Sequence, residues 1–213
     1  MHIALIGATG FVGTALLNEL LQRGHHVTAL ARDPAKLPLR EGLTVAQADA
    51  TDATQVAQAV RGVDAVASAY NPGWTHPDLH DEFLRGSRAI TAGVKAAGVQ
   101  RLLVVGGAGS LYVAPGVQLV DTPQFPAEWK NGALAAREAL NLLRQESTLQ
   151  WTFLSPAILL EPGERTGRYR LGTESPLMNG DQPGKISVAD LAVAIVDELE
   201  APRHLQQRFT VAY

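Results

Sequence analysis

The sequence has no cysteine among its 213 residues, and its formal net charge at pH 7 is only −3. Without cysteine the chain has no disulfide, thiolate metal site or cysteine nucleophile, so any redox chemistry must belong to a bound cofactor. The small negative charge and the lack of a basic run argue against nucleic-acid binding. No apolar run is long enough to cross a bilayer and no signal peptide precedes the first strand, so we expect a cytoplasmic protein without membrane contact.

Hydrophobic residues make up 46% of the sequence and charged residues 18%, which is typical of a folded globular chain. Apolar strand-like runs alternate with helical patterns, which predicts an α/β fold: a Rossmann-type doubly wound parallel sheet with helices on both faces. We expect a single domain, 1–213, in which residues 157–186 form a small C-terminal substrate cap. The predicted strands are 3–6, 26–31, 43–48, 63–70, 101–105, 150–154 and 208–212, and the clearest helices are 53–60, 127–143 and one ending near residue 98.

The glycine spacing at the start of the chain carries the main functional signal. The strand Ile3–Ile6 leads into Gly7, Gly10 and Gly13, and an amphipathic helix follows. In a dinucleotide-binding turn the first glycine allows the tight turn, the second lets a phosphate approach, and the third lets the helix pack closely. The alternative is an ordinary strand–helix turn that binds nothing. The predicted cofactor contacts in this turn are Gly7, Thr9, Gly10, Phe11, Val12 and Gly13.

The end of the second strand predicts which dinucleotide is bound. An acidic residue at this place binds the ribose 2′-OH of NAD, whereas an arginine accommodates the 2′-phosphate of NADP. Arg32 takes the first position after the strand, so NADP(H) is preferred and NAD(H) remains possible. Asp33 follows and is expected to point away as a turn or cap residue. Lys36 either adds charge near the phosphate or is a solvated lysine.

Further candidates follow the later strands, because ligands bind at the carboxyl ends of the strands in such sheets. Asp49 either reaches the adenine amino group or is a turn carboxylate, and Thr51 or Asp52 caps the next helix. The predicted neighbours of the ribose and nicotinamide are Ala67, Ser68, Gly106, Gly107 and Pro156.

Acid–base candidates are few. Ser110 either offers a hydroxyl to a substrate or caps a loop, and His80 lies where a loop enters a helix. His76 and His80 are four residues apart, but His76 precedes a proline and is expected outside the helix, so no metal site is predicted. Ser187 and Asp190 form a capping box that opens the last long helix.

Taken together, these motifs resemble a known family. Gly7-Ala-Thr-Gly-x-x-Gly13, Arg32-Asp33-Pro34 and Ile186-Ser-Val-Ala-Asp190 are similar to those of atypical short-chain dehydrogenase/reductases. Gly106-Gly-Ala-Gly-Ser-Leu111 and Pro162-Gly-Glu-Arg-Thr-Gly167 look more narrowly like the NAD(P)H-flavin reductase group, which is related to NmrA-like proteins and to biliverdin reductase B. The resemblance covers the whole chain and implies a Rossmann fold and nicotinamide binding.

The sequence departs from the wider family at its best-known catalytic motif, Tyr-x-x-x-Lys, in which the tyrosine relays a proton. None of the four tyrosines is followed by lysine at the required spacing. Lys130 falls near the tyrosine position and either touches the ribose or a substrate phosphate, or is a solvated lysine. The absent relay favours an acceptor that takes hydride without a protein acid, such as free flavin or a quinone, over a simple ketone.

The predicted function is therefore an NADPH-dependent reductase of FMN, FAD or another conjugated acceptor such as a quinone, with flavin as substrate rather than prosthetic group. The alternative is a non-catalytic NADP(H) sensor of the NmrA type, which binds a partner through its surface. An epimerase is disfavoured by the short C-terminal half and the missing tyrosine. We expect a monomer or a homodimer.

Overall fold

A computed structural model describes all residues, 1–213, and is built around one eight-stranded sheet. Its strands are β1 His2–Ile6, β2 His26–Ala31, β3 Leu43–Gln47, β4 Ala65–Ser68, β5 Arg101–Val105, β8 Gln150–Ser155, β10 Arg170–Gly172 and β14 Gln207–Ala212. Short paired strands lie outside it: β6 Tyr112–Ala114, β7 Val117–Gln118, β9 Leu159–Glu161, β11 Met178–Asn179, β12 Gln182–Pro183 and β13 Lys185–Ser187. The sheet order is β10-β14-β8-β5-β4-β1-β2-β3, and every pair is parallel except β10 with β14. This confirms the predicted doubly wound α/β fold.

Five α-helices cover the two faces of the sheet. They are α1 Phe11–Gln22, α2 Ala53–Ala59, α3 Leu79–Ala96, α4 Ala127–Arg144 and α5 Val188–Glu200. Helices α1 and α5 pack together on one face, and α3 packs between α2 and α4 on the other. None of the five has the length and apolar character needed to cross a membrane.

The core consists of two apolar layers, one on each side of the sheet. In β5, Leu103 and Val105 face α1 and α5, whereas Leu102 faces the opposite helices. Because both faces of a central parallel strand are buried, such a strand is apolar almost throughout rather than alternating. This explains why β5 and β2 begin and end at the residues predicted from the sequence.

The strand order reverses between β1 and β4, which pair with each other at the middle of the sheet. A crevice forms at such a switch point, outside the carboxyl ends of the strands. The turn after β1 and the loops after β2, β4 and β5 all open on this edge. The fold therefore brings together residues that are distant in the sequence.

Strand β10 lies within the predicted cap and pairs with β14, so the cap extends the main sheet. The hydroxyl of Ser187 accepts from the Asp190 amide at 3.0 Å, as a capping box requires, but the Asp190 carboxylate does not return to Ser187. It accepts from the amides of Thr166 and Gly167 and from the hydroxyls of Thr166 and Tyr213. The cap is thereby tied to α5 and to the C-terminus.

Candidate functional site

The glycine turn after β1 is sterically determined at two of its three glycines. Gly7 has φ +84°, and a Cβ there would lie 2.4 Å from the carbonyl oxygen of Ala69. A Cβ on Gly13 would lie 1.9 Å from the carbonyl oxygen of Gly7, so α1 packs directly against the turn. At Gly10, by contrast, φ is −83° and the nearest atom to a Cβ is 3.4 Å away. The protein itself leaves space at this position, on the side where the motif places a phosphate.

The N-terminus of α1 is open at the same place. Its first backbone hydrogen bond runs from the Thr14 amide to the Gly10 carbonyl, so the amides of residues 11–13 have no acceptor within the helix. No side chain caps them, and the first turn carries no acidic residue. Free amides and the positive end of a helix dipole bind anions. These residues therefore fit the pyrophosphate of a dinucleotide.

Arg32 and Asp33 follow β2, and the structure confirms the predicted role of Asp33. Asp33 accepts from the Ala35 amide at 3.2 Å and caps a short 3₁₀ turn, Pro34–Lys36, which confirms that it serves the turn. Arg32 is exposed and its guanidinium forms no ion pair. Lys36 is exposed as well, and its proposed contact with the phosphate stays a prediction.

Asp49 lies after β3 and forms the turn that was one of its two predicted roles. Its Oδ1 accepts from the Thr51 amide at 2.9 Å and from the Thr51 hydroxyl at 2.8 Å. The amide hydrogen bond, with the hydroxyl and the nearby Arg32 guanidinium, lowers the pKa of the Asp49 carboxyl against the opposing effect of burial. Oδ2 keeps no protein partner, so contact with an adenine amino group stays a prediction. Asp52 rather than Thr51 caps α2, accepting from the amides of Thr54 and Gln55.

The residues predicted to contact the ribose and nicotinamide lie at or near the carboxyl ends of β4, β5 and β8, but their surroundings differ. Ala67 is fully buried towards α1 and α5, whereas Ser68 is 2% exposed and borders a cavity of about 290 Å³ between α3 and α4. Gly106 lies against the Phe153 ring, which a Cβ would overlap at 1.9 Å. A Cβ on Gly107 would lie 3.8 Å from the Cβ of Ala136, an ordinary contact, and Pro156 is buried after β8. Gly107 is therefore less crowded than Gly106.

The two acid–base candidates do not form a pair. Ser110 is 2% exposed, and its Oγ accepts from Nη1 of Arg208 at 3.1 Å. The hydroxyl has almost no accessible surface and binds within the protein, so its contact with a substrate stays a prediction. His80 lies in the first turn of α3, with Nδ1 3.1 Å from Asp81 and Nε2 3.7 Å from Glu138 of α4. His80 thus lies at the α3–α4 surface with one hydrogen-bond partner, the Asp81 carboxylate.

Arg208 is a structural residue that the sequence did not reveal. It comes from β14, its side chain is fully buried, and it also pairs with Glu174 of the cap. It therefore links the loop after β5 to the cap. A single arginine in the apolar strand Arg208–Ala212 was the only available signal.

Two further polar side chains lie at this edge of the sheet, Tyr70 and Lys130. The Tyr70 hydroxyl donates to the carbonyl oxygen of Glu82 at 3.1 Å, and burial raises its pKa to about 12. Lys130 lies in the first turn of α4, is exposed and forms no ion pair. No group of three or more His, Asp or Glu side chains is arranged to hold a metal ion.

Sequence reasoning also missed an aromatic pair on this edge. Trp74, in the loop after β4, lies edge-to-face against Trp129 of α4, with ring centroids 4.9 Å apart and planes at 90°. Both are among the exposed large hydrophobic residues, at 53% and 45%. Gly132 inside α4 was the available signal, because glycine in a helix interior needs a packing reason.

Comparison with known proteins gives consistent results over nearly the whole chain. A family model described as NAD(P)H-binding matches residues 7–202. The uncharacterised protein YwnB of Bacillus subtilis is 42% identical, over 99% of this chain and 98% of YwnB. A solved structure from Bacteroides thetaiotaomicron, described as a candidate epimerase, is 47% identical with a TM-score of 0.93 and covers 100% of this chain and 96% of that one. Another, from Streptococcus pneumoniae and described as a candidate NADH-flavin reductase, is 37% identical with a TM-score of 0.87, covering 100% and 99%.

Proposed function

The chain belongs to the NAD(P)H-binding family of atypical short-chain dehydrogenase/reductases, and on that basis we propose that it is an NADPH-dependent reductase of a conjugated acceptor, free flavin or a quinone. One observation carries the proposal. The crevice offers a cradle for a dinucleotide, and the chain has no Tyr-x-x-x-Lys motif to relay a proton. The Ser110 hydroxyl accepts from Arg208, and the Tyr70 hydroxyl donates to the carbonyl oxygen of Glu82.

An acceptor of this kind needs positioning rather than acid catalysis. A bound reduced nicotinamide supplies hydride from its C4 to an atom such as flavin N5, and water can provide the proton that completes the reduction. The free amides at the start of α1 would hold the pyrophosphate, and Gly107 leaves room on the edge beyond β5. By fixing the position of the nicotinamide, the chain would increase the fraction of encounters with the acceptor that lead to hydride transfer.

The described geometry also supports treating the chain as one domain. Strand β10 of the cap and β14 continue the sheet that carries the glycine turn. We therefore propose that the cap and the dinucleotide site move and unfold together.

We expect Arg32 to set the preference for NADPH. Arg32→Ala should raise the Kd for NADPH about tenfold and leave that for NADH within about twofold, because a charge-assisted hydrogen bond to the 2′-phosphate is lost. Isothermal titration calorimetry with both dinucleotides measures this. Arg61→Ala is the matched control, since Arg61 is exposed in the turn before β4 at the opposite edge. An equal loss for NADPH and NADH would place the 2′-phosphate elsewhere.

The activity itself is tested by the absorbance of NADPH at 340 nm with FMN, FAD or menadione as acceptor. The proposal requires oxidation well above the rate without protein for at least one acceptor. Tight NADPH binding with no oxidation in any of the three mixtures would instead favour the non-catalytic sensor.

A further inference from the structure

Trp74 and Trp129 form an exposed aromatic pair, and a glycine in α4 makes its packing possible. Trp74 packs across α4 so closely that a Cβ on Gly132 would lie 2.5 Å from its Cζ3. Glycine in a helix interior destabilises the helix relative to alanine. At position 132 it lets the Trp74 indole lie against α4.

The two indoles differ from the third tryptophan of the chain. Trp151 is 3% exposed, and its Nε1 donates to the carbonyl oxygen of Glu146 at 3.0 Å. Trp74 and Trp129 keep about half of their surface in solvent, and neither indole N–H donates to the protein. Because their planes stand at 90°, the two indoles provide one ring face and one ring edge to a flat ligand, with free N–H groups as hydrogen-bond donors.

The position of this pair fits the acceptor side of the crevice. The adenosine half of a dinucleotide lies towards the end of β2, near Arg32, so the nicotinamide half extends across the switch point towards β4 and β5. Trp74 belongs to the loop after β4, and Trp129 to the helix that follows β5. The pair therefore stands on the side where an electron acceptor must approach.

Two charges adjoin Trp129 in the first turn of α4, the acidic Glu128 and the basic Lys130. Lys130 adjoins Trp129 in the first turn of α4, is exposed and has no carboxylate partner. A lysine at a helix N-terminus, with the dipole behind it, attracts an anionic group. The indole rings and the Lys130 ammonium together match a ligand with a flat ring and a phosphate tail.

Building on the proposed reductase function, we propose that Trp74 and Trp129 form the binding site for the acceptor's ring and that Lys130 binds its phosphate. FMN is then a better acceptor than riboflavin. Gly132 is then a positioning residue, because it acts by letting Trp74 reach its place. The proposal adds binding contacts only, and the transfer step is the one already described.

The experiment compares wild type with Trp74→Leu, Trp129→Leu, Gly132→Ala and Lys130→Met. Oxidised FMN is titrated into the protein saturated with NADP⁺, and binding is followed by quenching of flavin fluorescence. Steady-state rates then give KM and kcat for FMN, riboflavin and menadione. Leu205→Ala, an exposed apolar residue just before β14 at the opposite edge of the sheet, is the matched control.

Each tryptophan variant should raise Kd and KM for FMN at least about tenfold, the value of one ring-stacking contact, with Kd for NADPH unchanged. Gly132→Ala should do the same by displacing Trp74. Lys130→Met should raise Kd about fivefold for FMN and leave riboflavin and menadione unaffected. Thermal denaturation checks folding, and the two tryptophan variants carry the test if Gly132→Ala is unstable.

The outcomes separate this proposal from the reductase function. If wild type oxidises NADPH but both tryptophan variants have the wild-type KM for FMN, the tryptophan binding site is refuted and the reductase function is supported. If wild type binds FMN through the tryptophans without turnover, the tryptophan binding site is supported and the reductase function is refuted. A Lys130→Met loss that is equal for FMN and riboflavin, or that appears in NADPH binding, overturns the phosphate assignment.

Discussion

Gly10→Ala is expected to raise the Kd for NADPH at least about thirtyfold while changing the free energy of unfolding by no more than about 1 kcal/mol. The protein has room for a Cβ at this position, and φ there suits any residue. The added methyl would instead occupy the space through which a pyrophosphate reaches the free amides of α1. Calorimetric titration with NADPH and urea denaturation of the same preparation measure the two quantities.

Gly13→Ala provides the contrast, because its Cβ would overlap the Gly7 carbonyl oxygen. This variant should lose both binding and about 3 kcal/mol of stability, as overpacking against rigid backbone does. The two variants add the same methyl three residues apart. If Gly10→Ala binds NADPH as wild type does, the turn does not hold the pyrophosphate.

Asp190→Asn is expected to lower the free energy of unfolding by about 3 kcal/mol at pH 7. The carboxylate is fully buried and accepts four hydrogen bonds, from the amides of Thr166 and Gly167 and the hydroxyls of Thr166 and Tyr213. An asparagine accepts with one oxygen only, so the hydroxyls of Thr166 and Tyr213 would lose their charged acceptor and would have to reorient towards the NH₂ group. Urea denaturation measures the loss, and Asp181→Asn, at an exposed carboxylate without partners, should stay within about 0.5 kcal/mol of wild type.

The same carboxylate predicts a pH dependence with a definite sign. Burial alone would raise the pKa of Asp190, but the donated hydrogen bonds outweigh it and lower the pKa below its ordinary value. A carboxyl with a depressed folded-state pKa stabilises the fold above its unfolded value, about 3.9, and loses that contribution as pH falls through the folded pKa. The difference in stability between wild type and Asp190→Asn should therefore shrink below about pH 4. A difference that stays constant down to pH 2.5 would show that the charge contributes nothing.

Local rules were enough to predict the seven parallel strands of the main sheet and the glycine turn. The turn needs positive φ at Gly7 and close packing at Gly13, and both requirements act within a dozen residues of sequence. β2 and β5 could be delimited because the buried strands of a parallel sheet are continuous apolar runs. The Asp33 and Asp52 caps followed from their own neighbours in the chain.

Contacts between distant residues could not be predicted in the same way. Ser110 looks like a free loop hydroxyl until Arg208, 98 residues later, is seen to bind it. Asp190 follows the capping-box pattern, yet its carboxylate is taken by the cap and by Tyr213. Trp74 and Gly132 lie on different elements, and only the packing of the loop after β4 onto α4 explains why both residue types are needed.

We propose that the crevice holds a reduced nicotinamide in one orientation and presents one face of it to a conjugated acceptor. The most direct test supplies NADPH carrying deuterium at either the pro-R or the pro-S position of C4, with FMN as acceptor, and measures deuterium in the NADP⁺ formed by mass spectrometry. We expect complete loss of deuterium from one labelled form and complete retention in the other. Partial loss from both forms, as in the reaction without protein, would contradict it.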